Sequence, residues 1–306
     1  MILHPFNELP LCSFDRLREN ALWLEIFLEK NSIIPSRSLA THLEVLKALP
    51  EDHNEASPRD ISGAIGVAFL SAALQAAGKH ASFSKLRRLL RHLAIDKEIS
   101  PTAKGSSSDP RNFVFELEIG ACLIAGNIDV ESRSEPDLVC QHRGSTWALS
   151  LKNVYSSQLN TLVDRVQEAC DQALELEEAS ALAVVGLSNR IDHETFLPLL
   201  DPDGDIWGSF PDVDSARVAL EKLVSLARSD IRSELRIRDQ ELSANTRFRG
   251  VILIAQAACG VEGKVALLTG VSFVSRSDLF DVPTIEGGES DLVERLHRVT
   301  QDLLSS

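Results

Sequence analysis

Apolar positions recur at helical spacing through the first hundred residues. Between Asp15 and Lys30, Leu17, Ala21, Leu22, Leu24, Ile26 and Phe27 form one stripe, and Ser36–Leu49 repeats the pattern. Ser57-Pro58-Arg59-Asp60 supplies an N-cap and a first-turn proline for a long apolar helix that runs to about Ala77 and is closed by Gly78. A fourth helix is expected over Ser82–Ala94. The stretch Ile99–Asp109, with three consecutive serines, reads as a linker.

Beyond that linker the pattern changes. A helix is expected from Asp109 to Gly126, then short strands at Asp129–Val130, Asp137–Gln141 and Thr146–Val154, the last two joined by the turn His142-Arg143-Gly144-Ser145. An amphipathic helix follows over Leu159–Ala179, and the apolar run Ala181–Leu187 has the length of a buried strand. A variable region, 188–249, holds a charged helix over Val213–Ala244. Strands at Gly250–Ala257 and Lys264–Phe273 and a helix at Ser290–Leu304 complete the chain. The order predicts an α/β protein: a mixed central sheet (helix, three strands, helix, strand) preceded by an N-terminal helical region. The expected division is a helical domain over 1–105 and an α/β domain over 106–306, with a helical insertion near 190–248.

Two residues interrupt the apolar surface of the Asp109–Gly126 helix. From Phe113 onward only Glu116 and Glu118 are charged, and burying a carboxylate costs several kcal/mol unless it is paired or bound to a cation. Asp137 opens an apolar strand directly after Pro136. On the strand Trp147–Val154, side chains alternate, so Ser150 and Lys152 share one face while Trp147, Leu149 and Leu151 share the other. Each feature also has an ordinary reading: a glutamate facing a solvent gap, a Pro-Asp turn, a lysine guarding an edge strand.

Taken together, Glu116, Pro136-Asp137 and Lys152, in that order of elements, resemble the PD-(D/E)xK, or restriction-endonuclease-like, nuclease superfamily over about Arg111–Leu187. The resemblance implies a restriction-endonuclease-like sheet and metal-assisted hydrolysis of phosphodiester bonds in DNA or RNA. Glu116, with Glu118 as the alternate, and Asp137 would hold Mg²⁺ or Mn²⁺, and Lys152 would be the catalytic lysine. The departure is Ser150, which stands where the family carries an acidic residue and removes one negative charge from the site. Either another carboxylate compensates, with Glu116 and Glu118 both candidates and Glu135 more distant, or the chain is a catalytically inactive binding or scaffold module. A part in bacterial restriction or anti-phage defence follows from family association alone.

Composition adjusts this picture. The net charge is −14 over 306 residues, which argues against tight non-specific gripping of phosphates and leaves room for a protein partner on an acidic surface. The charge is uneven: Lys85–Arg91 is basic and expected to flank a nucleic-acid groove, while carboxylates crowd Glu168–Glu178 and Asp201–Asp214. Five scattered cysteines with no C-x-x-C pair suggest neither a disulfide framework nor a zinc site. Asp201–Asp205 lacks the terminal glutamate of a calcium loop. No apolar run approaches the roughly 20 residues needed to cross a bilayer, and the start of the chain lacks a secretory pattern. A cytoplasmic protein without membrane contact is therefore expected.

Overall fold

The computed structural model describes residues 11–49, 57–95, 98–100, 102, 109–191, 196, 198–200, 206–208, 210–238, 240–261, 264–285 and 287–305. The expected acidic turn 201–205 lies outside them. Helices α1 (Phe14–Lys30), α2 (Arg37–Ala48) and α3 (Pro58–Ala77) follow the apolar periodicity almost to the residue. Their starts are set by Ser13, Ser36 and Ser57, each of whose hydroxyls accepts a bond from the third backbone N–H beyond it.

The segment expected as one helix over Ser82–Ala94 is instead a 3₁₀ turn (Ala81–Leu86), a single α-turn α4 (Arg87–Leu90) and a second 3₁₀ turn (Arg91–Ala94). Leu86, Leu89, Leu90 and Leu93 are all buried. Their spacing of three and four residues is satisfied by either helix type, so the periodicity could not distinguish them.

Helix α5 (Asp109–Ala125) leads into an antiparallel meander of β2 (Asp129–Ser132), β3 (Leu138–His142) and β4 (Ser145–Asn153). The β3–β4 turn holds Arg143 at φ 50° and Gly144 at φ 74°, the left-handed pair that suits a two-residue hairpin. Helix α6 (Leu159–Leu174) then crosses over, and β5 (Ser180–Gly186) lies parallel to β4, with Ser150 opposite Ala183 and Lys152 opposite Val185. A small hairpin, β6 (Pro198–Leu200) and β7 (Ile206–Gly208), precedes α7 (Val213–Arg238) and α8 (Gln240–Ala244). The single helix expected over Val213–Ala244 is thus two. The hairpin and the short α9 (Arg276–Phe280) were not foreseen. The long hairpin β8 (Phe248–Val261) and β9 (Lys264–Ser275) and the helix α10 (Glu289–Ser305) complete the chain.

With β1 (Leu11–Cys12), these strands form one seven-stranded mixed sheet in the order β1-β9-β8-β5-β4-β3-β2. One face carries Trp147, Leu149, Leu151, Leu182, Val184 and Ile252 into a core shared with α1, α2, α3, α5 and α10. The other carries Ala183, Val185, Val251 and Leu253 into a core shared with α6 and α7. The fold is mixed α/β with helices on both faces.

The expected boundary at 105/106 marks no break in packing, because α3 and α5 belong to one continuous core and β1 pairs with β9. Nor are the described residues of the expected linker loose. Thr102 and Ser62 exchange hydrogen bonds, and Glu98 accepts from Ser100 N at 2.9 Å and Ser38 Oγ at 3.0 Å while both its oxygens lie 3.1 Å from His42 Nε2. This arrangement depends on Gly63. A Cβ there would sit 2.2 Å from the His42 ring, so Gly63→Ala is expected to cost on the order of 1–3 kcal/mol by overpacking, read as a lower urea midpoint.

By length and composition α3 has one stretch, Arg59–Ala77, apolar enough to cross a membrane. This corrects the expectation that no such run exists. Within the fold, most of that stretch is buried among α1, α2 and α5.

Candidate functional site

The candidate residues gather where β3 and β4 face α6. Asp137 immediately precedes β3 and stands opposite the β4 segment Ser150–Leu151. Its Oδ2 accepts a bond from Leu151 N at 2.6 Å and lies 3.0 Å from Ser150 Oγ. Ser150 Oγ is also 2.9 Å from Gln172 Oε1 on α6, and its single hydrogen can serve only one of the two acceptors at a time. One turn earlier on α6, Glu168 meets Lys152, with Nζ–Oε1 at 3.0 Å, and also pairs with Arg165 at 2.6 Å. The alternation of β4 puts Ser150 and Lys152 on one face, and the four-residue spacing of Glu168 and Gln172 lines α6 up against them.

Glu116 reaches this place from α5, on the other side of the sheet. It is 4% exposed, and its Oε2 has no hydrogen-bond partner among the described residues. Burial raises its carboxyl to about 8, and the charge of Asp137 pushes the same way. Arg88 and Lys152 partly offset both. Asp137 is likewise raised by burial, and its bonds from Leu151 and Ser150 and the charge of Lys152 act against the rise. Burial without a full set of donors favours the protonated form of Glu116, and Asp137 is shifted in the same direction. Burial also raises Glu168, but Lys152 and Arg165 outweigh it and hold that group below the usual carboxylate range.

Glu118 is not brought into this site. Two residues along a helix is a rotation of about 200°, so it points away from Glu116 and accepts a 2.7 Å bond from Gln256 Nε2 on β8. The expectation that Glu116 and Glu118 could share one ion with Asp137 is corrected on that ground. Glu135 stays at the rim: it is exposed, its charge is felt at Asp137, and it raises Glu175 at the end of α6.

The sequence reading missed Glu168 and Gln172. The signal available was their spacing, since a carboxylate and an amide four residues apart on the helix after the lysine strand would face that strand. What could not be read was which side of the amphipathic helix lies near Lys152.

The basic stretch lies beside the site and is already engaged there. Lys85 pairs with Asp129 at 3.1 Å, and Arg88 donates to Ser132 Oγ at 2.8 Å and to the carbonyl of Arg133. These bonds clamp the 3₁₀–α4 segment to β2, which places the positive charge of Arg88 near Glu116. Arg91 is exposed.

Among the described residues no group of three or more His, Cys, Asp or Glu side chains is set to hold a metal ion. The oxygen groups here are the Asp137 carboxyl and the Ser150 hydroxyl in contact with it, and the Glu116 carboxyl, with its unpartnered Oε2, which feels the charge of Asp137. That chemistry fits a small divalent cation, with two carboxylates rather than three.

No family model, no curated protein and no solved structure matches the chain.

Proposed function

We propose that α5, the β2–β3–β4 meander, α6 and β5 form a restriction-endonuclease-like core and that the chain is a metal-dependent nuclease hydrolysing phosphodiester bonds in DNA or RNA. The observation that carries the reading is that Glu116, Asp137 and Lys152 come from three separate elements and that the charges of Asp137 and Lys152 are both felt at the buried Glu116. Isolated carboxyls so buried cost stability, and a cation is what would offset the cost.

In this reading Glu116 and Asp137 hold Mg²⁺ or Mn²⁺, which would polarise a phosphoryl oxygen and lower the pKa of a bound water. Lys152, fixed by Glu168, directs its ammonium to the charge that develops on the scissile phosphate. Ser150 orients Asp137 by a hydrogen bond. Arg88, whose charge is felt at Glu116, is the basic residue that would meet a phosphate backbone beside the site. The protein would act in the cytoplasm, and restriction or defence against phage is a setting consistent with such an activity.

The test is cleavage of supercoiled plasmid, single-stranded DNA and RNA with Mg²⁺ and with Mn²⁺. Cleavage that appears with either ion and stops with EDTA is the expected result. A second reading, an inactive nuclease-fold scaffold that meets a protein partner through its acidic surface, is favoured by the neutral Ser150 and the net charge of −14. No cleavage of any substrate would select it. Ser150→Asp is informative in both cases. It adds a third carboxylate beside Asp137 and is expected to tighten Mn²⁺ binding by about tenfold or more in calorimetry. Unchanged binding would remove position 150 from the ion's surroundings.

A further inference from the structure

The face of the sheet that carries Asp137 and Ser150 continues past them into a pocket. Val130, Leu138, Cys140, Trp147 and Leu149 point into the core shared with α5. By alternation Asp129, Glu131, Val139, Gln141 and Thr146 stand on the opposite face, with Ser150. Strand pairing sets them in rows: Asp129 lies opposite Gln141 and Gln141 opposite Thr146, while Glu131 lies opposite Val139. From Asp137 the same face continues through Val139 to Gln141 in steps of about 7 Å. These residues floor a pocket of about 300 Å³, at the small end of the range for ligand sites. Lys85 walls it from the 3₁₀ turn, and Leu176 and Glu178 wall it from the segment after α6. Asp129, Glu131, Gln141 and Glu178 are exposed, so the pocket is open to solvent.

The lining combines two apolar side chains, Val139 on the floor and Leu176 on the wall, with a polar rim. On that rim Lys85 Nζ donates to both oxygens of Asp129, at 3.1 and 3.2 Å, and Arg133 pairs with Glu131 at 3.2 Å. A carboxylate accepts at about four lone-pair positions, so Asp129 and Glu131 keep acceptor capacity after these pairings. Glu178 is a third carboxylate beyond the two pairs. Gln141 and Thr146 bond one another, Nε2 to Oγ1 at 3.0 Å. The complementary ligand has apolar ring faces for Val139 and Leu176 and an edge that donates more than it accepts. We propose that it is an unpaired nucleobase of the substrate strand, bound beside the phosphate at Asp137, with cytosine preferred over thymine or uracil. The inference rests on the nuclease reading and adds a base preference to it. Cytosine and uracil share ring and size but differ at C4, where an amino donor replaces a carbonyl acceptor. Three carboxylates against two cations reward the donor, and Asp or Glu accepting from the cytosine amino group is an established pairing. Unpaired bases are the ones a protein can read in this way.

The test is fluorescence anisotropy with labelled single-stranded hexamers, cytosine against thymine in DNA and cytosine against uracil in RNA, with Ca²⁺ in place of Mg²⁺. The full chain should bind the cytosine hexamer about tenfold more tightly than its partner in at least one of the two nucleic acids. Glu178→Gln and Gln141→Ala, both at exposed positions, should each reduce that preference to about twofold or less. Equal binding of the two hexamers by the full chain, or a preference that both variants retain, would overturn the inference and leave the nuclease reading standing. A cytosine preference lost in the variants, in a chain that cleaves nothing with Mg²⁺ or Mn²⁺, would uphold the pocket and overturn the nuclease reading. Failure to bind any of the hexamers would overturn both.

Discussion

If the chain is the proposed nuclease, replacing Lys152 with alanine is expected to lower the rate of metal-dependent phosphodiester cleavage by about a hundredfold or more, with the fold retained. The side chain is 16% exposed and ends in an ion pair with Glu168, so its truncation leaves a gap between β4 and α6 whose effect on folding is read first. Glu168 keeps a second cationic partner in Arg165, and no carboxylate is left stranded. The companion substitution, Asp137→Ala, should have at least as large an effect on the rate. Ser150 would then direct its hydrogen wholly to Gln172, 2.9 Å away, so the strand keeps its anchor to α6. Far-ultraviolet circular dichroism and a urea midpoint close to the parent's establish that each variant is folded before its rate is read. If cleavage survived both substitutions, the assignment of the site would fail. Loss in Asp137→Ala with retention in Lys152→Ala would keep the ion and remove the lysine from the chemistry.

Glu168→Gln separates position from charge. It leaves Lys152 with an amide in place of a carboxylate, and the rate should fall less than in Lys152→Ala because the ammonium is still present. Its larger effect should be on how well the rate tolerates added salt, since an unanchored ammonium is screened more readily than a fixed one.

The legible parts of this molecule were those written in local pattern. The three N-terminal helices were read from apolar spacing, the third also from its Ser57 cap, and the meander from the alternation on β4 and the turn His142–Ser145. The same alternation placed Ser150 and Lys152 together, and the order of elements placed Asp137 opposite them. What escaped was decided by tertiary contacts. Nothing local distinguishes a 3₁₀ from an α-helix over 81–94, where leucines three and four apart suit both. The expected linker was judged by its serines, yet Ser100 and Thr102 are buried by bonds to one another and to Ser62. Glu116 and Glu118 looked interchangeable as isolated carboxylates in an apolar helix. The sheet separates them, because one feels the charge of Asp137 and the other bonds Gln256, two strands beyond β4 in the sheet order.

That separation gives Glu118 a role opposite to that of Glu116, and the second large effect follows from it. Glu118 is 2% exposed inside the core, and burial raises its carboxyl to about 7, with the bond from Gln256 acting against the rise. In the unfolded chain the same group titrates near the ordinary glutamate value of about 4.3. Below that value both states are protonated and the group costs nothing. As pH rises toward 7 the unfolded chain gives up its proton while the folded chain retains it, so stability falls; above about 7 both are ionised and the loss is complete. The loss is on the order of 3 kcal/mol. Glu118→Gln keeps an oxygen for Gln256 and abolishes the titration. In the metal-free protein the variant should therefore match the parent near pH 4.5 and exceed it by roughly 3 kcal/mol at pH 8.5, measured by urea unfolding across the range. Glu116 weakens the folded state with the same sign but is common to both proteins, so the difference isolates Glu118. Parallel stability curves from pH 4.5 to 8.5 would mean that Glu118 is neutralised by a partner when ionised, and would move the unbalanced charge of this helix wholly to Glu116.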